Sequence, residues 1–304
     1  MASSTPPGGT FQLAPDITVS RMGYGAMQLA GPGVFGPPRD RDAAIAVLRE
    51  AVELGINHID TSDYYGPYVT NEIIKEALHP YPDDLHLVTK IGSQRDDQGN
   101  WIPHLSPESL RQQVHDNLDR LGLDVIEIAN LRVGGFAAAE PGSIADKVET
   151  MAQLQADGLI KHIGISTVNA EQIAEAQKIA PIVCVQNLYN IAQRTDDAII
   201  DSLAQQEIAF VPYFPLGGFS PVQSESLNAI AAEIGQTPMA VALSWLLQRS
   251  PNILLIPGTS SVDHLRSNVA AADLALPTEL VSRLDAIATE DRTDAIEGTE
   301  GAGH

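Results

Sequence analysis

The chain has a single cysteine, Cys184, among 304 residues. No internal disulfide can form, which fits a reducing compartment such as the cytoplasm. Cys184 sits in the apolar run 182–185 and reads as a core residue. Cations are also scarce: 18 Lys and Arg face 39 Asp and Glu, for a formal net charge of −21. A field of that sign repels nucleic-acid backbones and anionic membrane surfaces. An anionic ligand would have to be held by backbone N–H groups or a few local cations. No apolar run approaches the ~18 residues of a membrane-spanning helix. The opening MASSTPPGGT has neither the basic start nor the apolar stretch of a secretory signal. No Gly-x-Gly-x-x-Gly follows a strand and opens a helix, so a doubly wound dinucleotide fold has no support. There is no His-x-His at a strand end and no clustered carboxylate–histidine set, so no metal is expected.

What is present is a large apolar fraction, 44%, enough for a sizeable core. The length suits one α/β barrel, which needs ~250 residues. Residues 1–9 and 291–304 are small, Gly-rich or acidic and read as disordered tails. Residues 10–290 contain no linker and read as one domain. Eight short apolar runs (21–25, 57–60, 86–90, 125–131, 162–166, 183–186, 209–213 and 253–257) alternate with eight helix patterns (42–54, 70–78, 107–121, 143–157, 170–179, 196–206, 238–249 and 262–271). Ser106-Pro107 and Thr237-Pro238 are helix starts, and Gly55, Gly122 and Gly158 stand where helices should stop. Eight strand–helix units predict a parallel sheet closed into a (β/α)₈ TIM barrel. Extra helices are expected at 224–234 and 277–289, with an N-terminal hairpin at 11–19 covering the barrel bottom.

In such a barrel the chemistry lies at the C-terminal strand ends. Nearly every run delivers a polar residue there: Asp60, Lys90, Asn130, Arg132, Ser166, Gln186 and Tyr213. Asp60 and Lys90 end neighbouring strands, ~4.8 Å apart, and can pair. Position alone leaves a structural ion pair at the rim open. Tyr65 follows five residues after Asp60, in a turn closed by Gly66. An ammonium beside a tyrosine stabilises its phenolate, lowering the pKa from ~10 toward neutrality. Such a tyrosine is a proton donor for a carbonyl oxygen.

The segment DTSDYYG, together with the lysine of VTKIG, resembles the active-site signature of the aldo-keto reductases. GYGAMQL (23–29), GLIKHIGIST (158–167), VQNLYN (185–190), YFPLGG (213–218) and LIPGTSSVDHLRSN (255–268) follow in the family's order, so the likeness spans roughly residues 10–290. It implies an NAD(P)H-dependent oxidoreductase in which Tyr65 is the general acid, Lys90 lowers its pKa and Asp60 holds Lys90 and touches the cofactor. Tyr64, the competing tyrosine, is left to packing or to lining the substrate. Tyr213 would stack on the nicotinamide, and Ser166 and Gln186 would hold its carboxamide. Gly25, Ala26, Met27 and Asp60 would line the adjacent ribose, and Asn268 the adenine. Phe214, Leu216 and Gly217, with the Pro215–Gly218 backbone, would meet the pyrophosphate. Gly258, Thr259, Ser260, His264 and Arg266 would meet the terminal phosphate, although PGTSS alone reads equally as an ordinary helix cap. Many relatives carry Lys-Ser and a later Arg where this chain has Gly258-Thr259 and His264; Arg266 and the 259–261 hydroxyls are the substitutes. The expected cofactor is NADPH rather than NADH.

One departure stands out. Where the family has histidine after D-x-I-D-L-x-x-x, this chain runs from Asp124 to Arg132. Arginine does not titrate as imidazole does, but it can stabilise negative charge on an oxygen or clamp an anionic group. A solvated rim arginine is the alternative. Within the family, the 22–67 segment, its Gly/Pro loop 31–38 and the Asn-Leu-Arg ending at Arg132 look most like the branch that reduces pyridoxal to pyridoxine. A broad aldehyde reductase and a non-catalytic cofactor-binding barrel are the competing readings. Loops 94–103, 134–142 and 219–226 are expected to wall the pocket, with Trp101 either lining it or covering the rim. His58 and His162 are read as structural.

Overall fold

The computed structural model describes residues 6–135, 138–217 and 224–287. Seven parallel strands form one sheet: β3 (Tyr24–Gly25), β4 (His58–Asp60), β5 (His86–Ile91), β8 (Ile126–Arg132), β9 (Ile160–Ser166), β10 (Ile182–Gln186) and β11 (Ala209–Phe210), in that spatial order. The eighth run makes no ladder of its own. It bridges both edges instead, pairing Phe210 with Ile253 and Met22 with Leu255 in parallel. Leu254 N–H donates to Phe210 O at 3.0 Å, and Leu255 N–H to Arg21 O at 2.8 Å. These bridges close the sheet into the expected (β/α)₈ barrel.

Below the barrel, β1 (Thr10–Ala14) and β2 (Ile17–Ser20) form the expected antiparallel hairpin. Its Leu13, Ile17 and Val19 pack on the barrel interior with Val88, Ile128, Cys184, Val211 and Leu254. The sequence puts residues 6–9 in a tail. In the structure they are fastened to the first strand, Met22 N–H donating to Pro7 O at 3.0 Å and Arg21 N–H to Gly9 O at 2.9 Å. The 291–304 tail lies outside the described residues.

The surrounding helices are α1 (Arg41–Glu53), α2 (Val69–Leu78), α3 (Pro107–Leu121), α4 (Ala145–Ala156), α5 (Ala170–Ala176), α6 (Asp197–Gln205), α7 (Glu225–Glu233), α8 (Pro238–Arg249) and α9 (Val262–Ala270). A last helix spans 278–287. Side-chain capping explains several of their starts: Ser106 Oγ accepts Ser109 N–H, and Thr237 Oγ1 accepts Ala240 N–H, each at 3.1 Å. Sequence periodicity missed two 3₁₀ segments after β3, Ala26–Leu29 and Pro32–Val34. It also missed a small antiparallel hairpin of β6 (Ser93–Arg95) and β7 (Trp101–Pro103), inside the stretch read as a loop.

The closing seam depends on missing side chains. A Cβ on Gly25 would lie 2.4 Å from the Ile256 carbonyl oxygen, and one on Gly258 2.7 Å from that of Gly25. Both glycines therefore serve the approach of two backbones as well as the cleft above. Gly25→Ala should lower stability by about 1–3 kcal/mol, the usual cost of forcing carbon into a packed site. Urea unfolding checks this, and an unchanged midpoint would mean that the seam gives way.

Candidate active site

The turn after β4 is held rigidly from behind. Thr61 N–H donates to Val88 O at 2.8 Å, Tyr65 N–H to Ser62 O at 3.1 Å and Tyr68 N–H to Asp63 O at 2.7 Å. Gly66, with φ 104°, reverses the chain directly after Tyr65. Behind the turn, Thr61 Oγ1 donates to Asn71 Oδ1 at 2.8 Å, Asn71 Nδ2 to Asn117 Oδ1 at 3.0 Å and Thr89 Oγ1 to the same oxygen at 2.6 Å. All four residues are fully buried. Sequence reasoning passed over Asn71 and Asn117. The available signal was an asparagine on the inward stripe of α3, between Val114 and Leu118. Burial pushes the Asp63 carboxyl up to about 7, against the pull of Arg120, whose Nη1 lies 2.6 Å from Oδ2.

Asp60 and Lys90 form the ion pair expected across β4 and β5, and both are buried. Lys90 Nζ also donates to Thr61 O at 3.1 Å. The second Asp60 oxygen accepts from Gln186 Nε2 at 2.8 Å. Gln186 is thus tied to the pair through its NH₂ group. Its Oε1, buried and without a hydrogen-bond partner, remains to accept an N–H from a ligand. That orphaned acceptor fits the carboxamide role the resemblance implies. Deeper in the barrel, Cys184 Sγ donates to Asn130 Oδ1 at 3.2 Å, and burial pushes the thiol up to about 12.

Tyr65 corrects one expectation. Its ring centroid lies 5.3 Å from Lys90 Nζ, yet its hydroxyl is raised above its ordinary pKa, not lowered. Burial is the main cause and the Asp60 charge adds to it, with Arg132 pulling the other way. The ammonium beside the ring is bonded to a carboxylate, whose charge opposes ionisation of the phenol. A tyrosine so placed stays a neutral phenol, a proton donor at any working pH.

Tyr64 packs edge-on to Tyr65, with centroids 5.3 Å apart, and edge-on to Trp101 at 5.4 Å. Arg132 is half-buried, donates from Nη2 to Gly135 O at 2.7 Å and holds its guanidinium carbon 5.5 Å from the Tyr213 ring centroid. It is not a solvated rim residue. With Tyr64, Tyr65, Lys90, Trp101, Gln186 and Tyr213 it lines a cavity of about 400 Å³.

That cavity shares walls with a larger cleft of about 610 Å³. Of the residues assigned to a cofactor, Gly25, Met27, Asp60, Tyr213, Phe214, Leu216 and Gly258 line this cleft. Pro215, the start of the expected pyrophosphate segment, lines it too, and Gln28, Ile256 and Pro257 join them without having been singled out. Ala26 and Ser166 are fully buried, and Gly217 follows Leu216 with φ 91°. Gly218 and the loop at 218–223 fall outside the described residues. Ser260 lines a neighbouring cavity with Gln28 and Arg39. Thr259 Oγ1 accepts Ser261 N–H at 3.0 Å, and Ser261 Oγ caps α9 by accepting His264 N–H at 3.4 Å. Each hydroxyl keeps an O–H to donate. His264, Arg266 and Asn268 lie along α9. Arg266 is already paired with Glu50 at 2.7 Å. Among the described residues no group of His, Cys, Asp or Glu could hold a metal ion.

By comparison with known proteins, this barrel is an oxidoreductase acting on carbonyl or alcohol groups. The family model described as the aldo/keto reductase family matches residues 21–289, and the chain belongs to that family. It is 63% identical over 284 residues to the pyridoxine 4-dehydrogenase of Escherichia coli, covering 92% of this chain and 99% of that protein. An uncharacterized oxidoreductase of Schizosaccharomyces pombe is 40% identical over 279 residues, covering 91% of this chain and 89% of that protein. Among solved structures, a thermostable aldo-keto reductase in complex with the inhibitor epalrestat superposes with a TM-score of 0.76 at 27% identity, over 90% of this chain and 97% of the other. The holo form of an aldo-keto reductase from Bacillus halodurans gives 0.75 at 26% identity, over 91% and 95%.

His58, two residues before Asp60, is buried and its Nδ1 has no partner. Burial pushes its pKa down to about 4, with Asp60 opposing and His86 and Lys90 adding to the fall. The unfolded chain takes up this proton near pH ~6.5 and the folded chain does so only near 4. Stability is therefore complete above 6.5 and is lost as pH falls to 4, by up to about 3 kcal/mol from this group. Urea midpoints measured over that range should decline less steeply in His58→Asn; parallel slopes would remove His58 as the cause.

Proposed function

We propose that this protein is an NADPH-dependent reductase that converts the aldehyde of pyridoxal to the alcohol of pyridoxine, with Tyr65 as proton donor. The observation that carries this reading is the smaller cavity. Aromatic rings of Tyr64, Tyr65, Trp101 and Tyr213 wall a space into which Arg132 also faces. Pyridoxal is a flat ring whose phenolic oxygen, largely ionised near neutral pH, stands beside the aldehyde. A fixed guanidinium suits that pair of oxygens better than a titrating imidazole does. The 63% identity to a pyridoxine 4-dehydrogenase supports the same substrate.

The reduced nicotinamide, when bound, supplies hydride to the carbonyl carbon. Tyr65 gives its proton to the carbonyl oxygen, so hydride and proton together yield the alcohol, and Tyr65 regains its proton from solvent. Arg132, whose charge favours ionisation of Tyr65, stabilises the transient phenolate, while Asp60 holds Lys90 beside the ring. Arg132 donates hydrogen bonds to the aldehyde oxygen or its phenolic neighbour as negative charge builds. Gln186, through its unpaired Oε1, and Ser166 would receive the carboxamide, and Tyr213 the face of the ring. Gly25, Ala26 and Met27 would line the ribose and Asn268 the adenine. Phe214, Leu216 and Gly217 would lie along the pyrophosphate. Gly258, Thr259, Ser260, His264 and Arg266 would meet the terminal phosphate, Arg266 after leaving Glu50. A cytoplasmic location accords with the one buried thiol.

The test is loss of NADPH absorbance with pyridoxal and a panel of other aldehydes. Tyr65→Phe should lower kcat by roughly 10²-fold or more while leaving the NADPH Kd close to wild type. Arg132→Leu should lower kcat/KM for pyridoxal about tenfold more than for an aldehyde lacking a neighbouring phenol. Tight NADPH binding without turnover of any carbonyl would replace this reading by a non-catalytic barrel. Turnover of other aldehydes with none of pyridoxal would replace it by a broader reductase.

A further inference from the structure

Arg95, at the end of β6, stands outside the residues that touch the reacting centre, yet its guanidinium is bonded on every side. Its Nε and Nη2 donate to Gly99 O at 2.9 and 2.6 Å, Nη1 to Val34 O at 2.7 Å and Nη2 again to Gly33 O at 3.0 Å. Its guanidinium carbon lies 4.0 Å from the Trp101 ring centroid and 5.4 Å from that of Phe35. Four hydrogen bonds to backbone carbonyls and two ring contacts thus gather on one planar group. The partners belong to two separate stretches of chain, the 31–38 loop after the first strand and the hairpin of β6 and β7.

Both stretches touch the site. Trp101 is the cross-strand neighbour of Arg95 and a wall of the substrate cavity. Val34 packs with Tyr64 and Tyr65. The 31–38 loop is bonded to the residue after Tyr65, Gly36 N–H donating to Gly66 O at 2.6 Å and Gly66 N–H to Val34 O at 3.2 Å. Phe35 also packs against Gly99 and Trp101 against the cluster of Val34, but among the described residues the side-chain hydrogen bonds between the two stretches are those of Arg95.

We infer that Arg95 is a positioning residue for substrate selection: it fuses the 31–38 loop and the β6–β7 hairpin into one wall and holds the Trp101 ring where a flat aromatic aldehyde must lie. A small aliphatic aldehyde does not reach that wall and is indifferent to it. Only arginine offers this planar fork; lysine keeps the charge but cannot donate along the same directions. The inference deepens the proposed pyridoxal reading and is tested so that the two fail separately.

The experiment compares wild type, Arg95→Ala, Arg95→Lys, Trp101→Ala and the Arg95→Ala/Trp101→Ala double variant. Substrates are pyridoxal, 4-pyridinecarboxaldehyde and propanal, and NADPH Kd is read separately by fluorescence. For Arg95→Ala, KM for both aromatic aldehydes should rise about tenfold with kcat within about threefold, and propanal kcat/KM should stay within about twofold. NADPH Kd should not move. Arg95→Lys should behave like Arg95→Ala, and it serves the same comparison if the alanine variant does not fold. The double variant should be no worse than the poorer single one, because both changes remove the same wall. An equal fall for propanal and the aromatic aldehydes would overturn the inference, as would losses that multiply in the double variant. Should wild type reduce 4-pyridinecarboxaldehyde and not pyridoxal, the pyridoxal reading fails while the wall is still scored on the first. Reduction of propanal alone would overturn the wall itself.

Discussion

A carboxylate and an ammonium taken out of water together hold the rest of this site in place. Burying either charge alone is costly, and removing one partner of such a pair typically destabilises a protein by about 3–5 kcal/mol. Asp60 and Lys90 meet because β4 and β5 are in parallel register, His58 facing His86 and Ile59 facing Leu87. The remaining valences are filled locally. Thr61 O accepts a hydrogen bond from Lys90, and Gln186, from the far side of the barrel, donates to Asp60. A slip of either strand by one residue would turn its charge toward the helices and leave the other buried without its partner. The strand pairing and the chemistry are therefore one constraint.

The pair also decides what Tyr65 is. An isolated ammonium would draw a phenol toward ionisation. An ammonium already bonded to its carboxylate presents a nearly cancelled charge, so burial governs and the phenol keeps its proton. The second cation at the mouth, Arg132, pulls the other way without reversing the balance. Two cations of different kinds thus face one tyrosine: Lys90, spent on a carboxylate, and Arg132, held by Gly135 O on the wall of the adjoining cavity.

Much of this was legible in the chain, for identifiable reasons. Short apolar runs ending in Asp60, Lys90, Ser166 and Gln186 announced strands and a mouth, because such runs are read from neighbours in sequence alone. Helix starts at Ser106 and Thr237 were legible for the same reason. The eighth strand was legible as a run but not as two isolated bridges. What stayed hidden depends on contacts between distant segments. Gln186 reads as a polar strand end, and nothing local reveals that its amide is half committed to Asp60. The Asn71–Asn117 link joins two helices, and the role of Arg95 rests on carbonyls about sixty residues earlier. The direction of the Tyr65 shift needed both members of the ion pair to be counted at their actual contacts.

The seam between Gly25 and Ile256–Gly258 joins strands from opposite ends of the chain. Contacts of such sequence separation are the slowest to form, because most of the intervening polymer must be ordered first. During synthesis the first strand emerges early and waits for nearly all the rest before it can be paired. The same seam lines the larger cleft. The pocket is therefore complete only when the eighth segment is docked. Truncated or half-folded chains have no partial version of it, so a bound ligand would report that the whole barrel has been completed.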